Sequence, residues 1–365
     1  VPGYARQRFM RNISQLNPKA LPKPSAKGVQ KNPSPTPSPT QAVYDTVIDY
    51  AKQYLDTVGR HGYNYGPGID QGIQLMQYLN YLKQNDPQLY NQLMRDPTIQ
   101  NAIKTFQEQE SALSQMWVDV SVEMPGGKSV PFSHMVFAPA SQAASPTQFA
   151  QAVINNYTQK ISQAIQGGDL ATAQKYINEL KAYLQSLGNT QGINQQALQQ
   201  FVSELQSLSN ELQAAEIYQR EYLPLANQLS SGVAGGPEIQ RFMRNVSQVS
   251  PASLPYLQAG AYAETLRKML NILNEIRELS PQFFQAIGGP GLVTNIENAL
   301  NYFNAVQEAY IRASKEAMSA FFGEPLIPPA LYLPGFGVVT LPPSPVPPPP
   351  GSAGATTAAT GAGKG

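Results

Sequence analysis

The chain has 365 residues, 42% of them hydrophobic and only 13% charged, with no cysteine, two histidines and a formal net charge of +1. That length can bury a sizeable core, and the absence of cysteine excludes disulfides and thiolate metal sites. Charge stands at about half its usual share, so the surface must be mostly neutral-polar, nearly insensitive to pH and free of the like-charge repulsion that keeps proteins apart.

The first element is a short amphipathic helix in the phrase QRFMRNISQLNPKALP, Gln7 to Pro22. Phe9, Ile13 and Leu16 fall at i, i+4 and i+7 with Met10 beside them, one apolar stripe. Pro18 stops it, because proline disfavours helix in the residue before it. Residues 1–32 hold seven basic side chains, Arg6, Arg8, Arg11, Lys19, Lys23, Lys27 and Lys31, and no acid, which leaves 18 basic against 24 acidic, or −6, on the rest. The Pro/Ser/Thr segment from Lys23 to Thr40 follows. At ~3.1 Å per residue in the polyproline form it can hold the first phrase up to about 50 Å from the body.

From about Gln41 to Phe322 the pattern is mainly helical. Asp86-Pro87, Asp96-Pro97 and Ser280-Pro281 each set an N-cap before a proline at the first helical position. Ser145-Pro146-Thr147-Gln148 and Thr294-Asn295-Ile296-Glu297 have the form of capping boxes. Gly167-Gly168-Asp169 predicts a turn between helices over 146–166 and 169–187. A long helix over 194–230 follows, its seam Leu198, Phe201, Leu205, Leu208 and Leu212, with Pro224 kinking or ending it. Two more helices are predicted near 260–279 and 294–322.

One segment breaks the helical pattern. Met116 to Phe137 pairs the strand formers Trp117, Val118, Val120 and Val122 with the turn Pro125-Gly126-Gly127-Lys128 and a second β-prone run containing His134. A lone hairpin is marginal in water, so it must pack on the helices or pair with a strand of a neighbouring chain. Beyond Glu324 there is no charge until Lys364. PLIPPALYLPGFGVVTL, Pro325 to Leu341, is apolar and proline-interrupted, and is expected as an extended strap on this chain or on another subunit.

The expected organisation is a basic hook over 1–22, a linker over 23–40, a helical subdomain over 41–115, a β-hairpin over 116–138, a helical bundle over 139–322 and an extended arm over 323–365. The fold class is mainly α, a helical bundle body with one β-hairpin and extended Pro-rich arms at both ends. No apolar run reaches the ~18 residues of a membrane span. No signal peptide is visible, although the opening Val1 leaves room for a removed leader.

Catalytic constellations are not visible. His61 lies in GRHGYNYGPG, a tight loop suited to ring stacking, with only Asp56 and Asp70 near enough in sequence to share a metal. His134 has no acidic companion, and the pairs Glu108/Glu110 and Glu275/Glu278 suit solvated helix faces. A serine nucleophile needs a positioned base, and neither the P-loop nor the dinucleotide-binding glycine pattern is present. The expectation is a non-enzymatic chain with no metal, cofactor or small-molecule substrate.

The first phrase returns as QRFMRNVSQVSPASLP, Gln240 to Pro255, after the hinge Gly235-Gly236-Pro237. Eleven of sixteen positions are identical across a separation of 233 residues, and the flanks do not repeat. A duplicated helix packing twice in one core would account for it, but structural duplication normally copies a whole supersecondary unit. The alternative is a motif that docks twice. Phe9, Met10, Ile13 and Leu16, like Phe242, Met243, Val246 and Val249, would lie in an apolar groove. Arg8 and Arg11, and equally Arg241 and Arg244, would clamp carboxylates. Two hooks on one chain gain effective concentration only where the partner surface itself repeats.

With KNPSPTPSPT at one end, LPPSPVPPPPGSAGATTAAT at the other, no cysteine, little charge, abundant Gln, Tyr and Pro, and a duplicated arm, the chain resembles virion structural proteins of viruses that infect archaea of hot acidic water. The resemblance implies a minor capsid or cement protein located in the virion. The expected function is to bridge repeated protein subunits, as in a capsid-like lattice or homo-oligomer. Two alternatives remain: nucleic-acid packaging through Arg6, Lys19, Lys23, Lys27 and Lys31, and a secreted or cell-surface interaction protein with glycan at Asn12, Asn156 or Asn245.

Overall fold

A computed structural model describes residues 37–231, Arg241, 254–315 and two short strands at 330–333 and 337–340. Over these residues the chain is mainly helical, as its periodicity predicts. The order is α1 (Pro39–His61), α2 (Gly66–Asn85), α3 (Pro87–Met94), α4 (Pro97–Met116), β1 (Ser121–Met124), β2 (Lys128–Pro131), α5 (Phe132–Phe137) and α6 (Pro146–Gln166). Then come α7 (Leu170–Leu187), α8 (Gln195–Ile217), α9 (Leu223–Ser230), α10 (Leu254–Leu279), α11 (Pro281–Ala286), α12 (Gly289–Lys315), β3 (Ala330–Leu333) and β4 (Gly337–Thr340).

Local chemistry sets most of the helix starts. Asp86 accepts from the Leu89 amide at 3.1 Å, Asp96 from the Thr98 amide at 2.8 Å and Ser280 from the Phe283 amide at 3.2 Å, each with proline in the first turn. Ser145 and Gln148 exchange both bonds of a capping box, at 3.1 and 3.2 Å. Each such cap stabilises by about 1 kcal/mol. Ser38 does the same for α1, accepting from the Thr40 amide at 3.3 Å, so the helix starts at Pro39 inside the segment expected as linker. The Tyr44 hydroxyl donates to Asp96 at 2.8 Å and, with the cap bonds, holds that carboxyl below its ordinary value.

Three local expectations fail. The capping box expected at Thr294 lies inside α12, where Thr294 Oγ1 bonds the Pro290 carbonyl at 3.1 Å. Pro290 sits in the first turn and starts the helix earlier. The second β-prone run is helix over Phe132–Phe137, so the strand pair ends at Pro131 and His134 stands on a helix. Tertiary packing overrides β-propensity there, because Phe137 is buried edge-on against Phe106 at 5.7 Å. The arm expected as one extended strap contains β3 and β4, which pair antiparallel, with β3 lying against α12.

Pro224 leaves its mark as predicted. It lacks the N–H of a continuing ladder, and one π-helical turn over Tyr218–Tyr222 joins α8 to α9.

The described residues form two compact units. One lies within Lys27–Ala164 and Ala171–Ser209, the other within Ile165–Leu170 and Asn210–Gly365. In the first, α1, α2 and α4 close on Tyr54, which is fully buried and donates to Gln109 at 2.7 Å. Gln109 in turn donates to the Tyr63 carbonyl at 2.9 Å, so neither buried polar group is left unpaired. Gly72 permits the approach: a Cβ there would stand 2.7 Å from Phe106 and 2.9 Å from Tyr54. In the second unit α10 packs along α12, with Tyr262 stacked on Phe303 at 5.1 Å and Met269, Leu273 and Ile276 fully buried.

Candidate functional site

The structure bears unevenly on the residues singled out in the sequence. Arg6, Arg8, Phe9, Met10, Arg11, Ile13, Leu16, Lys19, Lys23, Lys27 and Lys31 lie outside the described residues, as do Phe242, Met243, Arg244, Val246 and Val249. Arg241 is described, helical and exposed. The last two residues of the second phrase, Leu254 and Pro255, open α10. That phrase therefore runs directly into a 26-residue helix of the second unit. The first phrase ends on the same Leu-Pro pair and is followed in sequence by Lys23-Pro24 and the Pro/Ser/Thr segment. One phrase thus serves two different continuations.

The residues considered for chemistry sit apart. His61 ends α1 and stacks on Tyr65 at 4.1 Å, and Asp56 is ion-paired with Arg60 at 3.1 Å. Glu108, Glu110, Glu275 and Glu278 are all exposed. Among the described residues no three His, Asp or Glu side chains gather into a metal-holding group, and no helix is long and apolar enough to cross a membrane.

A polar network in the first unit had no sequence signal. Tyr157 on α6 is fully buried and donates to the buried Glu179 on α7 at 2.6 Å. Burial first, then that bond, pushes the Tyr157 hydroxyl far above its ordinary value, so it stays a donor. Next to it Lys160 pairs with Asp49 at 3.0 Å and lies 4.7 Å from the centre of the Tyr176 ring. Asn156 donates to Asp49 at 3.1 Å and to Thr46 at 3.3 Å. The sequon at Asn156 thus lies at a half-buried mid-helix position with its side-chain amide bonded to Asp49 and Thr46. The partners lie 22 to 111 residues apart, beyond the reach of any local pattern.

In the second unit two polar groups are less well served. The Tyr222 hydroxyl is buried with no hydrogen-bond partner among the described residues, in the π-helical turn where its ring stacks on Tyr218 at 5.3 Å. Glu211 is half-buried with no partner among the described residues, and burial raises its carboxyl above the ordinary value.

The most unusual surface is the hairpin. From Ser114 to Phe132 not one residue is buried. Met116 is 59% exposed and Val118 73%, and Val120, Met124 and Met135 are exposed as well. Among the described residues only Val202 joins them as an exposed large hydrophobic. Trp117 packs edge-on against Phe132 at 5.0 Å without closing the patch. Among the described residues this is the one cluster of exposed large hydrophobic side chains.

No family model, no curated protein and no solved structure matches the chain.

Proposed function

We propose that the protein is a non-enzymatic assembly component that bridges repeated subunits of a larger particle, a viral shell, by docking its RFMRN[I/V]SQ phrase twice. The observation that carries this reading is the phrase itself, written twice with different continuations: a proline-rich tether after Pro22 and helix α10 from Leu254. A segment retained for its own packing would keep its surroundings; a segment retained for its partner need keep only itself. The stripe of Phe, Met and Ile or Val suits an apolar groove, and the flanking arginines suit carboxylates at its rim. Two copies of one phrase on one chain tighten binding through effective concentration on a surface that presents the groove repeatedly.

The test removes residues 1–36 and leaves the Ser38 cap in place. The truncated protein should keep its helical circular dichroism and melting temperature and lose incorporation into the particle. If truncation unfolds the body, the phrase belongs to the core and the reading fails. A second reading rests on the seven uncompensated basic residues of the arm, which would neutralise phosphates. Fluorescence anisotropy with a labelled duplex DNA separates the two: phosphate binding weakens steeply with salt, and groove docking does not.

A further inference from the structure

We infer that the β-hairpin is a self-association site, at which β1 of one copy pairs antiparallel with β1 of a second copy about a two-fold axis through Val122. This inference makes no use of the duplicated phrase and stands or falls without it.

The hydrogen-bond register selects the edge. Ser121 faces Pro131, Val122 faces Val130, Glu123 faces Ser129 and Met124 faces Lys128. The Phe132 amide donates to the Val120 carbonyl at 2.9 Å, which makes 120/132 a hydrogen-bonded pair. Antiparallel ladders alternate hydrogen-bonded and non-hydrogen-bonded pairs. Residues 122 and 124 therefore turn their backbone groups towards β2, and Ser121 and Glu123 turn theirs outward. On the opposite edge the outward residues are Ser129 and Pro131. Proline has no N–H to give and Lys128 adds a charge, two devices that keep a strand edge from pairing. The outer edge of β1 carries no proline between Ser121 and Met124, and its one charge is Glu123.

The open edge is complementary to itself. With Val122 opposite Val122 of the second copy, Ser121 faces Glu123 of the second copy in two hydrogen-bonded pairs. Each carboxylate then meets a serine hydroxyl, and no like charges stand directly opposite. On the other face Val120 meets Met124 of the second copy. The four strands join Val130, Val122 and their symmetry mates into one row, flanked by rows of Phe132, Val120, Met124 and, at the outer end, Lys128. Val120 and Met124, left open in one copy, thereby join one face of a four-stranded sheet, the size at which a sheet gains independent stability.

The chain has no cysteine, so one introduced thiol reports the pairing directly. Residues facing each other in a non-hydrogen-bonded antiparallel pair stand ~4.5 Å apart at Cα, within disulfide reach. Full-length Val122→Cys, mildly oxidised and run without reductant, should form a covalent dimer roughly tenfold more completely than Val130→Cys on the inner position of β2. Adding Glu123→Pro, which removes an outward N–H, should abolish the dimer, whereas Ser129→Pro on the outer edge of β2 should leave it unchanged. Equal cross-linking at 122 and 130, or a dimer indifferent to Glu123→Pro, would overturn the proposal. Removal of residues 1–36 should not affect the cross-link, so failure of the hook reading and failure of this one are told apart.

Discussion

The molecule contains two hairpins that treat apolar side chains in opposite ways. In the helical hairpin of α6 and α7, Val153, Ile154, Tyr157, Ile161, Ile177 and Leu180 are buried, and the one polar tip among them, the Tyr157 hydroxyl, is bonded to Glu179. In the β-hairpin Trp117, Val118, Val120, Val122, Met124, Val130 and Phe132 include no buried residue. The two segments come from one chain of one composition, so exposure in the second cannot reflect a shortage of material to cover it. A two-stranded sheet has a face on each side and an edge on each flank, and here the helices do not cover the apolar one. The first hairpin is covered within the chain; the second is left open.

Substitutions separate the two hairpins by size of effect. Ile161→Ala removes a fully buried side chain and should cost ~3–4 kcal/mol in urea unfolding; a cost below ~1 kcal/mol would mean that the helical hairpin is not core. Tyr157→Phe leaves Glu179 buried without its donor, and should cost about 1–3 kcal/mol by the same measurement.

Glu211 sharpens the point, because it is a half-buried carboxyl that lacks such a donor among the described residues. Its folded-state pKa is raised, so its contribution to stability is complete below the unfolded value and is lost as pH rises through the folded one. Glu211→Gln should therefore raise the urea midpoint at pH 8 relative to the parent and narrow the difference between pH 4 and pH 8. Val118→Ser, at the most exposed of the apolar positions, should change monomer stability by no more than ~0.5 kcal/mol. A large loss there would show that the β-hairpin is packed like the helical one and erase the contrast.

Much of this architecture was legible because its signals are local. Asp86, Asp96, Ser145 and Ser280 announce their helices within three residues, and the interruption before Pro224 follows from one missing N–H. The Gly168 turn has φ 76°, the left-handed region that glycine enters at no steric cost. What could not be read depended on distant residues. Phe132–Phe137 has strand-like composition, and Phe106, far along the chain, decides that it is helix. At Thr294 a correct capping-box pattern lost to the stronger Gly289-Pro290 start. The Asn156 sequon dissolved into packing against Asp49 and Thr46, which no spacing rule connects. The hairpin's exposure was half legible: turn and strand formers placed it, but only the register shows that one edge is blocked by Pro131 and the other is open.

The docking claim rests on Phe9 and Phe242 meeting equivalent surfaces. A photo-crosslinking phenylalanine analogue placed at position 9 or at position 242 of the full-length protein, irradiated within the assembled particle and read by mass spectrometry, tests it. Attachment from both positions to the same groove of the same subunit type is the predicted result. Attachment to different proteins, attachment of position 9 to nucleic acid, or attachment of position 242 only within its own chain would contradict it.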